Sequence, residues 1–63
     1  MMEHVEKVKQ MDEKILKIKE LLEALDRDAS EFPAIRRNSR RALASLKMLE
    51  LNISDLIAFD LVE

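Results

Sequence analysis

The sequence predicts an all-α protein, an antiparallel helical hairpin with a short third helix or continuation. Three observations point there. Apolar residues recur at spacings of three and four through two long segments. The chain has no glycine and only one proline, and that proline falls between the two segments. Charged residues make up 38% of the chain, well above the roughly 25% of ordinary domains, and they fill the positions between the apolar ones.

In the first segment Met1, Val8, Ile15, Leu22 and Ala29 form one seven-residue row, and His4, Met11, Ile18, Leu25 and Phe32 form a second. Rows offset by three and four lie along one helical stripe, so both are expected to face the core. Val5, Leu16 and Leu21 widen the stripe beyond a narrow two-stranded seam. Helix 1 is expected over about residues 3–26.

The run Asp26-Arg27-Asp28-Ala29-Ser30-Glu31-Phe32-Pro33 breaks the pattern. The residue before a proline is biased away from helical dihedrals, and proline itself suits the first helical position. Helix 2 therefore starts at Pro33, with Asp and Ser side chains nearby to accept from its free amides. Its core face is Ile35, Ser39, Ala42, Leu46 and Leu49, broadened by Leu43, over about residues 33–51. Asn52 and Ser54 carry stop and cap chemistry, which favours a third helix over about residues 53–61, although the apolar series also runs on through Ile53 and Leu56. The whole, residues 1–63, reads as a single helical domain.

A chain of 63 residues buries only about 60% of its unfolded surface, so its own core is marginal. Cysteine is absent and histidine occurs once, which leaves neither a disulfide nor a conventional zinc site as a staple. His4 reads as a core-row residue rather than a metal ligand. Eight of the twelve residues from 51 to 62 are apolar and fall on more than one helical face. One neighbouring helix cannot cover them all. A homodimer, or docking on a protein partner, is thus expected through Leu49, Ile53, Leu56, Ile57, Phe59 and Leu61.

Charge is segregated along the chain: net −3 over residues 1–31, +4 over 32–51 and −3 over 52–63. The middle block owes its sign to Arg36, Arg37, Arg40 and Arg41. Like charges four apart repel, and cations at a helix N-terminus oppose its dipole. Anionic compensation is expected from Asp26, Asp28 and Glu31, from a second chain, or from an external anion such as nucleic-acid phosphate. No aromatic residue sits among the arginines to stack on bases, and the overall charge is −2, so nucleic acid ranks behind internal pairing.

Several function classes fit poorly. Phosphate loops and dinucleotide-binding turns need glycine. No Cys, Tyr or Ser–His arrangement offers a nucleophile with its base, and the paired carboxylates lie on solvated faces, so no enzyme activity and no cofactor are expected. No apolar run is long enough to span a bilayer, and Met1–Glu6 lacks the features of a secretory leader, which makes a cytoplasmic protein the expectation.

The residues Ile18 to Leu25, Asp28-Ala29-Ser30, Pro33, Ile35-Arg36-Arg37, Ala42-Leu43 and Leu46 together resemble a family of short archaeal all-helical proteins of uncharacterised function. Those proteins share a first helix, a polar turn with proline and an Ile-Arg-Arg start to the second helix. The similarity covers roughly residues 15–49 and departs in the spacing from proline to Ile-Arg-Arg. It implies a compact helical bundle and assigns no activity.

Overall fold

Two long helices packed side by side make up nearly everything that a computed structural model of the chain describes, namely the backbone of residues 2–60 and the side chains of residues 5–58. Helix α1 runs Met2–Asp28 and α2 runs Pro33–Asp55, and the α2 helix passes directly into a π-helical stretch, Leu56–Asp60.

The turn between the helices needs no left-handed residue. No described residue has positive φ, in keeping with a chain that has no glycine. Ala29 N–H donates to the Leu25 carbonyl, Phe32 N–H to the Ala29 carbonyl, and Arg36 N–H to the Phe32 carbonyl. Phe32 is the residue that leaves helical geometry, with φ −125° and ψ 83°, and Pro33 follows it as the first helical residue. The expected start of helix 2 is therefore met. The expected side-chain cap is not: no Asp or Ser accepts from the first amides of α2.

The seven-residue row predicted for α1 is the core. Val8 and Ile15 from α1 meet Leu46 and Ile53 from α2, with Leu22 and Leu56 packed against them. Ala29 and Ser39 are also buried. Burying Ser39 lets the helices approach where the hairpin closes, but its Oγ finds no hydrogen-bond partner among the described residues, at a cost of about 1–3 kcal/mol.

The predicted break at Asn52 is corrected. Residues 33–55 form one helix, and Leu56 N–H reaches both the Asn52 and Ile53 carbonyls. Ser39, Leu46 and Ile53 are seven apart, so continuing the helix carries Ile53 onto the row that α1 covers. Burying an Ile side chain is worth about 1.5–3 kcal/mol, whereas Asn in a helix interior costs only about 0.7. Packing overrides the local stop signal. Helix 1 likewise runs two residues past the expected Asp26.

The hairpin is one layer thick. Its Cα extents are 48 × 16 × 10 Å and its radius of gyration is 14.6 Å, against about 10.6 Å for a compact chain of this length. No large side chain is completely shielded from solvent among the described residues. The accessible surface is 5346 Å², against about 4200 Å² expected of a compact monomer of this mass.

Candidate functional site

The two faces of the layer differ in chemistry, and two ion-pair sets identify which side is which. On α1 the residues four past each core position are Asp12, Lys19 and Asp26; on α2 the residues four past Ser39, Leu46 and Ile53 are Leu43, Glu50 and Ile57, with Arg36 one heptad before Leu43. These sides meet. Lys19 Nζ lies 3.7 Å from Glu50 Oε2, and Asp26 Oδ1 accepts from Arg40 Nε at 3.2 Å with Arg36 Nε at 3.9 Å. Lys9, Glu23 and Lys47 fall on the same side by helical spacing. This face carries all three ion pairs among the described residues, with Val5, Leu16, Leu43 and Ile57 interspersed among its charges.

The opposite face must then carry the residues three past each core position. On α1 these are Met11, Ile18 and Leu25; on α2 they are Ile35, Ala42 and Leu49, with Leu56 at the end of the row. Met11, Ile18, Leu25, Ile35 and Leu49 are between 36% and 47% exposed. Leu21 and Met48, more exposed still, extend this face outward. The flanking positions on α2 are Asn38, Ser45 and Asn52, all uncharged. These exposed apolar rows are flanked on their outer sides by Lys7, Lys14 and Asp28 of α1 and by Arg41 and Asp55 of α2. Both apolar rows of α1 had been expected in the core. Only one is: the row of Val8, Ile15 and Leu22 packs against α2, and the row of Met11, Ile18 and Leu25 stays exposed.

The residues expected at an interface between chains separate into three groups. Leu49 lies on the open face. Ile53 is a correction: it is 7% exposed and belongs to the core of its own hairpin, with Leu56 packed beside it. Ile57 is exposed in the π-helical stretch. The side chain of Phe59 and residue Leu61 lie outside the described residues, as does the side chain of His4.

The arginine cluster divides as well. Arg36 and Arg40 share Asp26, so part of the expected internal compensation is present, worth no more than about 1 kcal/mol per exposed pair. Asp28 and Glu31 join no ion pair among the described residues, and neither do Arg37 and Arg41. Together with Ser30, Pro33 and Ala44, the four arginines line a shallow concavity of about 550 Å³. The described residues offer no group of three or more His, Cys, Asp or Glu side chains fit to hold a metal ion, and no described helix is long and apolar enough to cross a membrane.

No protein-family model, curated protein or solved structure matches the chain. The functional reading therefore rests on the two surfaces just described.

Proposed function

We propose that this protein is a small helical interaction module without chemistry of its own, working through the apolar face formed by α1 and α2. The observation that carries this reading is the division of the hairpin into an ionic face and an apolar one. Leu49 brings the apolar C-terminal part of the sequence into that face, so the expected C-terminal interface becomes its α2 edge. Leu25→Asp on the apolar face should abolish association, read by light scattering, or, where the chain runs as a single copy, its binding of an apolar fluorescent dye. Leu16→Asp on the ionic face should leave both at wild-type values. Unchanged association and dye binding in Leu25→Asp would reject the reading.

A second reading has one observation in its favour: Arg37 and Arg41 point no charge at a described carboxylate, yet they share a concavity with Arg36 and Arg40. Guanidinium groups so grouped suit a phosphate-bearing ligand such as RNA or DNA. Affinity for labelled nucleic acid would then fall steeply between low and moderate salt, and Arg37→Ala with Arg41→Ala would flatten the slope. Salt-insensitive or absent binding removes this reading.

A further inference from the structure

The elongated hairpin exposes more surface, over both its faces, than a compact chain of its mass, and its larger face is of the size one more copy would cover. The chain exposes about 1100 Å² more than a compact monomer of its mass, and a stable interface takes about 800 Å² from each partner. A face of 48 × 16 Å is of that size. Helical layers find a stable architecture when a second layer covers the first.

The register of the apolar rows says how that second layer would sit. Asp26 is reached by Arg36 and Arg40, one turn apart, so it lies about level with Asn38. Counting inward in opposite directions along antiparallel helices puts Ile18 about level with Leu46 from these pairs and about level with Leu51 from Lys19–Glu50. On α1 the open row is Met11, Ile18, Leu25, centred on Ile18. On α2 it is Ile35, Ala42, Leu49, Leu56, centred between Ala42 and Leu49, within about one residue of the level that the Asp26 pairs give. Both rows are therefore symmetric about one line across the hairpin.

We infer that a second copy of this chain packs on the apolar face, related by a two-fold axis that crosses the helices at the level of Ile18, to give an antiparallel four-helix bundle. This rests on the reading of that face as the interaction surface, and it names the occupant. The axis sets Ile18 against Ile18 of the second copy and Met11 against its Leu25. On α2 it sets Ala42 against Leu49, small against large, and Ile35 against Leu56. It also brings Lys7 of one copy to the level of Asp28 of the other, so the opposite charges that border the α1 row meet. An axis parallel to the helices would instead place α1 over α2 and leave Ile18 without its own equivalent.

Position 18 gives a direct test, because the chain has no native cysteine. Packed helices lie about 8–10 Å apart, which brings facing Cα atoms near the roughly 5.5–6 Å that a disulfide takes. Under mild oxidation Ile18→Cys should convert mostly to a covalent dimer on a non-reducing gel, and Leu16→Cys, on the ionic face, should stay single. Light scattering of the unmodified protein should give twice the 7.4 kDa of one chain. A folded protein of single-chain mass overturns the second copy as occupant. If it still binds dye in a manner abolished by Leu25→Asp, the interaction face itself survives. A double-mass protein that cross-links through position 16 and not 18 overturns both. A double-mass protein that leaves both positions uncross-linked overturns the axis at Ile18.

Discussion

Leu46→Ala is expected to unfold the hairpin at room temperature. Leu46 is 5% exposed and lies midway along α2 in the single row that α1 covers. Truncating a buried leucine removes its transfer free energy and leaves a cavity, together costing about 2–5 kcal/mol. A core built by fewer than about 70 residues seldom supplies more than 3–5 kcal/mol in total. The loss is therefore comparable with everything the fold has to spare. Leu51→Ala makes the contrast: the same chemical change at a position 48% exposed on the far side of α2 should alter stability by no more than about 0.5 kcal/mol. Helical circular dichroism through a thermal melt checks both. A cooperative melt for Leu46→Ala within a few degrees of wild type would mean that the core lies elsewhere.

The second large effect is a dependence of stability on protein concentration. If folding and pairing of copies are one process, mass action links them, and each tenfold increase in chain concentration adds about 1.4 kcal/mol per dimer. The melting temperature should rise by several degrees over two decades of concentration. Ile18→Asp, which would place a charge opposite its own equivalent in a dry interface, should lower the melting temperature sharply or abolish the helical transition at the same concentrations by removing the pairing. A melting temperature constant over the same range would show that one chain holds its fold unaided.

Much of this fold is legible in the sequence because helical spacing is a local property. Val8, Ile15 and Leu22 announce the buried row of α1, and Phe32-Pro33 announces where α2 begins. The third segment continues α2, with no break at Asn52, for a physical reason. Asn52 carries a genuine stop preference, but the preference is worth less than burying Ile53, and that reward depends on α1 lying alongside. The candidate site was half legible. Two apolar rows were visible on α1, but spacing alone does not say that one would close and the other stay open. The charges give only part of a signal: Asp12, Lys19 and Asp26 border the closed side of α1 and Asn38, Ser45 and Asn52 the open side of α2, but Lys7, Lys14 and Asp28 border the open row of α1. The division of the arginines was out of reach, since only the turn geometry brings Asp26 to Arg36 and Arg40 and leaves Arg37 and Arg41 outside.

Contacts between copies can be observed directly by nuclear magnetic resonance on a sample mixing isotope-labelled and unlabelled chains in equal amounts. Filtered for contacts between the two, the spectrum should connect the methyl groups of Ile18 in one copy with those of Ile18 in the other, and Met11 with Leu25. A well-dispersed helical spectrum without such cross-peaks, or with cross-peaks joining Val5 and Leu16 of the ionic face, would contradict a second layer seated on the apolar face.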